Sequence, residues 1–222
     1  MVRGKTGGDA APKTGSFQAM NLAPELLKGI SSMGYKQPTP VQRKSIPVCL
    51  LGGDVVCMAR TGSGKTAAFV LPTLQKLISG KNGDTFESSS SNASSIKAVI
   101  MSPTRELCLQ TLSVCKKLAK HCSQKINIVS IIGGDGMEKQ FQALSSRPDI
   151  LVATPGRLAH HLSEIPDFDL SSCEMCIFDE VSLCFHERQQ SLIKEYSYAT
   201  IFLIIGRSSF RNGFRRANAR NH

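Results

Sequence analysis

No uninterrupted apolar run in the 222 residues goes far beyond the five from Ile201 to Ile205, against the ~20 that a membrane-spanning helix requires. No transmembrane segment and no membrane partner are expected. The N-terminus, Met1-Val-Arg-Gly-Lys-Thr-Gly-Gly, lacks the apolar stretch of a secretory signal. That predicts a reducing, intracellular setting in which all eight cysteines stay thiols. Internal repeats are missing, and acidic residues are missing from Arg207 to His222. There Arg207, Arg211, Arg215, Arg216 and Arg220 supply half of the net charge of +10. The charge left over the rest of the chain is compatible with a polyanionic partner without establishing one. With 41% hydrophobic and 20% charged residues, collagen-like, wholly disordered and coiled-coil classes are excluded, and one domain with a real core is expected.

Five short apolar runs read as strands: Asp54 to Met58, Lys97 to Met101, Ile126 to Ile132, Asp149 to Ala153 and Met175 to Phe178. Each is continuous, as expected where both faces of a parallel sheet are covered. Helical patterns lie between most of them, at Gly64 to Ser79, Thr104 to His121, Gly136 to Leu144 and Gly156 to Leu162, and an earlier one spans Leu22 to Met33 with Pro24 in its first turn. Strand alternating with helix predicts a doubly wound α/β sheet. Residues 1–15 are expected to be a flexible leader, the Ser-rich stretch from Gly80 to Ser95 a surface insertion, and 206–222 a disordered basic tail.

The sharpest chemical signal is Ala59-Arg60-Thr61-Gly62-Ser63-Gly64-Lys65-Thr66, which follows the first strand and opens a helix. It is a phosphate loop with Ala59 in the place often held by Gly. Small residues let successive N–H groups face phosphate oxygens at a helix N-terminus. Lys65 is then expected at the β- and γ-phosphates, and the Thr66 hydroxyl on Mg²⁺. The last strand runs into Asp179-Glu180, which supplies the second carboxylate such a site needs: Asp179 on the metal side, Glu180 on the attacking water. Taken alone, an acidic pair after a strand is an ordinary loop start. Gly34 to Gln42 reads as a loop stiffened by Pro38 and Pro40 and ending in a carboxamide able to read an adenine edge, with Tyr35 or Phe17 available to stack; a structural turn is the competing reading.

Together these segments resemble the DEAD-box family of ATP-dependent RNA helicases, from about Phe17 to Glu180. Gly34 to Gln42 resembles the Q motif with Phe17 as its upstream aromatic, Ala59 to Thr66 motif I, and Pro103-Thr-Arg-Glu-Leu107 motif Ia. Gly133-Gly134 and Thr154-Pro-Gly-Arg157 match the next two RNA-facing elements. The resemblance implies a RecA-like P-loop NTPase domain (16–205) preceded by a Q-motif helix and loop, with ATP and Mg²⁺ as cofactors. It implies RNA held through its backbone by Arg105, Gly134, Thr154, Gly156 and Arg157. The wording of Gly133 to Phe141 is similar to a nucleolar branch acting on large ribosomal subunit precursors, which implies pre-ribosomal partners and a nuclear, nucleolar location.

The pattern breaks at motif II, where Asp179-Glu180-Val181-Ser182 ends in Ser instead of Asp; that puts the coupling of ATP to RNA in doubt. The resemblance ends near Leu183. A second RecA-like domain with its arginine finger, commonly worth about 10³ to 10⁵ in rate, is not reached, so a truncated or misspliced product is expected, nearly inactive alone. A fragment that binds ATP or RNA without unwinding is the competing function. The Ser-Ala-Thr motif has only an echo, Ser197-Tyr-Ala-Thr200, which precedes an apolar run instead of ending one; either Ile201 to Ile205 substitutes for the central strand or the sheet has a gap. A generic GTPase is disfavoured because no Asn-Lys-x-Asp string is present. Cys173 and Cys176 have metal-ligand spacing without a second pair. Cys108, Cys115 and Cys122, seven apart, read as one packed helix face, and His160, His161 and His186 as surface residues.

Overall fold

A computed structural model describes residues 15–81, 96–166, 168–180 and 200–206. All of the expected leader but Gly15, most of the Ser-rich insertion, Ser182, Cys184, His186, Ser197 and the basic tail after Gly206 lie outside these residues.

A 3₁₀ turn at Phe17–Met20 leads into α1 (Pro24–Ser32), whose Leu26 and Ile30 are buried on one face. Gly29 on that face meets α4 (Arg105–Ala119) so closely that a Cβ there would collide with the Leu118 carbonyl. α2 (Pro40–Leu50) starts inside the stretch read as a loop. Thr39 caps it: its Oγ1 accepts from the Gln42 N–H at 3.4 Å, while the Gln42 Oε1 accepts from the Thr39 N–H at 3.0 Å. This reciprocal capping box makes Pro40 the first residue of a helix, where a missing N–H costs nothing, and so Pro40 to Gln42 are helical.

The sheet has six strands in the order β1-β6-β5-β2-β4-β3. They are β1 (Val55–Ala59), β2 (Ala98–Met101), β3 (Ile128–Ile131), β4 (Ile150–Ala153), β5 (Met175–Asp179) and β6 (Thr200–Gly206). The remaining helices are α3 (Lys65–Lys81), α5 (Met137–Ser145) and α6 (Pro155–Glu164). β3, β4, β2 and β5 are parallel. Their alternate residues feed two cores: Ala98, Ile100, Ile150, Val152 and Ile177 pack with α1 to α4, whereas Val99, Met101, Leu151, Ala153 and Cys176 pack with Leu158 and Leu170 on the other face. Burial on both faces is why these strands read as continuous apolar runs.

The β1 side differs. Val56 is 70% and Met58 47% exposed, so one face of this edge strand is uncovered by the described residues and the expectation of two covered faces fails there. β6 lies between β1 and β5, the place expected for the central strand, but is antiparallel to both. A parallel strand needs a crossover back to the opposite edge of the sheet, whereas an antiparallel neighbour enters from the edge where β5 ends. Thr200, the first residue of β6, therefore sits in register with Ala59. The sheet is mixed, with a four-stranded parallel part.

Candidate functional site

The carboxyl ends of β1, β2, β3, β4 and β5 carry the phosphate loop, Thr104-Arg105, Gly133-Gly134, Thr154 and Asp179-Glu180 respectively. All the proposed chemistry therefore collects on one edge of the sheet, where open α/β sheets bind ligands.

On the phosphate side, Gly62 (φ +78) and Gly64 (φ +88) occupy the left-handed region. Gly62 has no atom within 4 Å of the place a Cβ would take, so the loop is open there. Gly64 is crowded: a Cβ would lie 2.6 Å from the Gln42 Nε2 and 3.2 Å from Thr39. Arg60 and Thr61 are exposed on the loop, and Ala59 and Thr66 are half-buried at its two ends. Ser63 has a buried hydroxyl with no hydrogen-bond partner. An orphaned hydroxyl in a ring of small residues at the start of a 17-residue helix fits an anion that offers acceptor oxygens.

Lys65 is 8% exposed, and its Nζ donates to the Ala59 carbonyl at 2.9 Å, closing the loop on itself. Burial lowers its pKa, against the opposing pull of Asp179 and Glu180. Asp179 is 6% exposed at the end of β5, and burial, then the Glu180 carboxylate, push its pKa to about 6 while Lys65 opposes. Each group thus favours the other's charged form, while burial pushes both toward neutrality. Glu180 adopts a left-handed φ of +57, and its carboxylate acts on both Asp179 and Lys65. Oxygen donors from Thr66 and Asp179 suit Mg²⁺, which keeps most of its shell from water and phosphate and needs few protein ligands.

Gln42 is buried, and besides its capping bond its Nε2 donates to the Gly64 carbonyl at 3.0 Å. A carboxamide has two N–H donors and two lone pairs. One of each is left, the complement of an adenine edge. Tyr35 is half-buried against the core, and Phe17, 3% exposed, offers no open ring face. Phe17 packs with the core cluster, as buried as Gln42.

The other half of the edge holds the candidate RNA residues. The Arg105 Nη1 donates to the Gly133 carbonyl at 2.6 Å, and its Nη2 pairs with the Asp135 carboxylate at 2.9 Å. Gly134 (φ +89) lies under that guanidinium, where a Cβ would be 2.9 Å from Nη1. Arg157 Nη1 lies 3.1 Å from the Met137 Sδ. Thr154 is the N-cap residue of α6, but its hydroxyl makes no capping bond, and Gly156 is exposed in the first turn. The two arginines, Gly134, Thr154 and Gly156 thus border one rim, with the arginines already held by the protein.

Two residues read as unimportant belong here. His161 is fully buried rather than on the surface, with its Nε2 2.9 Å from the Gln140 Oε1. Gln140, 2% exposed, lies within the Gly133 to Phe141 stretch but has no role there in the sequence reading. The signal was present: each is a polar residue on the inward stripe of a helix, Gln140 between Met137 and Leu144, His161 beside Leu158 and Leu162. Cys108 and Cys115 are buried as the packed helix face requires, with Cys122 half-buried. Cys173 is buried too, its thiol donating to the Met175 carbonyl at 3.2 Å. Burial pushes the Cys173 pKa to about 11, so the metal-binding thiolate is disfavoured there.

Residues 39–203 match the family model described as DEAD/DEAH box helicase. The sequence is 46% identical over 173 residues to DEAD-box ATP-dependent RNA helicase 29 of Oryza sativa subsp. indica, covering 78% of this chain and 19% of that protein. It is 49% identical over 172 residues to ATP-dependent RNA helicase ddx54 of Dictyostelium discoideum, covering 78% of this chain and 15% of that protein. It is 46% identical over 183 residues to the probable ATP-dependent RNA helicase DDX27 of Mus musculus, covering 82% and 23%. The chain spans about a fifth of the length of these relatives.

Proposed function

The chain belongs to the DEAD/DEAH box helicase family, and on that premise we propose that it binds ATP with Mg²⁺ and uses hydrolysis to remodel RNA, in ribosomal RNA processing within pre-ribosomal particles of the nucleolus. One observation carries the reading. Lys65, on the loop after β1, and Asp179, at the end of β5, are 8% and 6% exposed and stand within each other's field across β6, and the Ser63 hydroxyl on the same loop is unsatisfied. A buried ammonium and carboxylate, each pushed toward its neutral form, are stabilised together when a triphosphate and a divalent cation arrive. The relatives' names, as ATP-dependent RNA helicases, support ATP and RNA as the ligands, and the ribosomal setting rests on the resemblance of Gly133 to Phe141.

In this reading Lys65 leaves the Ala59 carbonyl to neutralise the β- and γ-phosphates, and the backbone N–H groups of Gly62 to Lys65 take the phosphate oxygens. Thr66 and Asp179 would hold Mg²⁺, which would supply charge neutralisation. Glu180 orients the attacking water and accepts its proton. Gln42 reads the adenine edge with its spare N–H and lone pair, Tyr35 covers the base, and Ala59, Arg60 and Thr61 shape the loop mouth. Arg105, Gly134, Thr154, Gly156 and Arg157 hold one strand of RNA through sugar and phosphate, without base selection.

A second reading, binding of ATP or RNA without unwinding, is favoured by the reversed direction of β6 between the strands that carry the two nucleotide motifs. Single-turnover ATP hydrolysis with and without RNA decides between them. RNA-stimulated turnover, lost in Glu180→Gln, is expected for the enzyme. Saturable ATP uptake with no turnover under either condition establishes the binding module.

A further inference from the structure

The buried polar pair Gln140 and His161 lies behind the rim, and the Gln140 side chain holds the backbone on both sides of the Gly133-Gly134 turn. The Gln140 Nε2 donates to the Ile132 carbonyl at 3.2 Å and to the Asp135 carbonyl at 2.8 Å, one on each side of the Gly133-Gly134 turn. Only an N–H can face two carbonyl oxygens, so chemistry fixes the orientation of this carboxamide. Its Oε1 therefore faces the His161 Nε2, and the ring must be the donor across that 2.9 Å contact. Neutral His161 is thus the Nε2–H tautomer, leaving a buried Nδ1 lone pair that has no partner. The Phe141 ring, edge-on to His161 with centroids 5.7 Å apart, holds the imidazole plane.

The pair lies in line with a second tie between the same helices. Met137 and Gln140 are three apart on α5, and Arg157 and His161 four apart on α6, so each pair shares a helix face. Met137 meets Arg157 and Gln140 meets His161. From Gln140 the linkage continues outward, because the residue whose carbonyl it holds, Asp135, pairs through its carboxylate with Arg105. His161, Gln140, Asp135 and Arg105 form one connected line from the helix carrying Arg157 to the other rim arginine.

We infer that Gln140 and His161 are positioning residues that hold the Gly133-Gly134 turn and the first turn of α6 in one fixed arrangement, so that RNA affinity depends on two side chains that never touch RNA. This rests on the RNA-binding reading of the rim. A phosphate backbone has fixed spacing, and two arginines serve it best when their separation is preset rather than chosen on binding. Ion pairs would fix the spacing less selectively on a wet surface. A buried neutral pair does so without adding charge to the rim.

The test replaces His161 in two ways and reads affinity for a fluorescently labelled poly-uridine strand by anisotropy, with labelled ATP as the internal control. In His161→Gln the amide nitrogen can occupy the place of the ring Nε2 and still donate to Gln140. In His161→Leu, of similar size, it cannot. We expect His161→Gln to bind RNA within about twofold of wild type and His161→Leu to bind about tenfold more weakly, as for one lost buried hydrogen bond, with ATP affinity unchanged in both. Gln140→Glu, which turns a carboxylate toward two carbonyl oxygens, should lose at least as much. Nitrogen-15 NMR of the imidazole should show the Nε2–H tautomer in wild type and an imidazolium in Gln140→Glu. Equal RNA affinity in the two His161 variants, whether both weak or both normal, overturns the inference. Arg157→Ala separates the two levels: if it weakens RNA binding while His161→Leu does not, the positioning role is wrong and the rim reading stands. If Arg157→Ala has no effect, the rim reading falls and takes the inference with it.

Discussion

The two halves of the functional edge are stabilised in opposite ways. On the nucleotide side, charge is buried: Lys65 and Asp179 are almost inaccessible and both are driven toward neutrality. On the rim, charge stays half exposed, with the Arg105 and Asp135 side chains 43% and 37% accessible. What is buried there is neutral, an amide and an imidazole with their hydrogen bonds closed except at Nδ1. Buried charge held against a burial penalty is where a ligand that brings further charge has the largest effect. Buried neutral hydrogen bonds are a frame complete in itself. The nucleotide half should therefore respond to metal and pH, and the rim to ionic strength.

Removing Lys65 should separate the halves most sharply. Lys65→Ala is expected to weaken ATP binding roughly a hundredfold, as for loss of a charge-assisted contact in a dehydrated site, with RNA affinity in the absence of nucleotide within twofold. Parallel titrations of labelled ATP and labelled RNA measure this, and a matching fall in both would erase the distinction.

A matched pair of glycine substitutions comes next, because Gly64 and Gly134 share nearly the same positive φ, +88 and +89. Each should lose about 1–3 kcal/mol of stability in denaturant for the backbone alone. Function should divide. Gly64→Ala drives a Cβ into the Gln42 amide that caps α2, and should reduce ATP affinity more than tenfold. Gly134→Ala meets only the end of the Arg105 side chain, which can swing away, so a loss of RNA affinity of a few fold is expected.

The pH dependence of metal-free stability provides a third contrast, since the two halves titrate with opposite sign. His161 has its pKa lowered below 6.5 by burial, then by Arg157 and His160. The unfolded chain takes up this proton first as pH falls, so the stability of neutral His161 is complete above pH 6.5 and is lost below it. Asp179 is raised from 3.8 to about 6. The folded chain binds that proton more tightly, so its contribution is complete below pH 3.8 and lost as pH rises through about 6. Chemical denaturation across pH 4 to 8 should give the slope near pH 6 more positive in Asp179→Asn and less positive in His161→Phe. The same slope in both variants would contradict the assignment of burial as the main cause.

The smallest effect is expected at Asp135. Its carboxylate offsets the Arg105 charge where phosphate would bind, and exposed pairs of this kind contribute only about 0–1 kcal/mol. Asp135→Asn frees charge on Arg105 but also cuts one tie of its frame, leaving the Gly133 carbonyl to hold the guanidinium. RNA affinity should therefore stay within about twofold while its dependence on log salt steepens by about 0.7, one single-strand phosphate contact's worth. An unchanged slope would mean that Arg105 does not reach the RNA.

Local pattern was enough for much of this molecule. Val55 to Ala59 followed by small residues and Lys65, or Met175 to Phe178 followed by two acids, are strings whose chemistry is set within a few residues, and both lie where the strand-helix alternation put them. The start of α2 was also legible, as Thr39 and Gln42 three residues apart, but Pro38 and Pro40 led to a loop reading because proline signals both a turn and a first helical position. The burial of His161 was less accessible, since its partner lies on another helix 21 residues away.

What the sequence by itself determined is therefore the family and the nucleotide-binding strings, because phosphate chemistry demands specific residues at short, fixed spacing. Tertiary structure alone decided the rest: that β6 enters antiparallel, that Gln42 ties the cap of α2 to Gly64, and that Arg105 and Arg157 belong to one frame held through Gln140 and His161. The physical reason is that a hydrogen bond between distant segments is selected by burial and geometry after the chain has packed. Neither partner carries a mark of the other in its own neighbourhood.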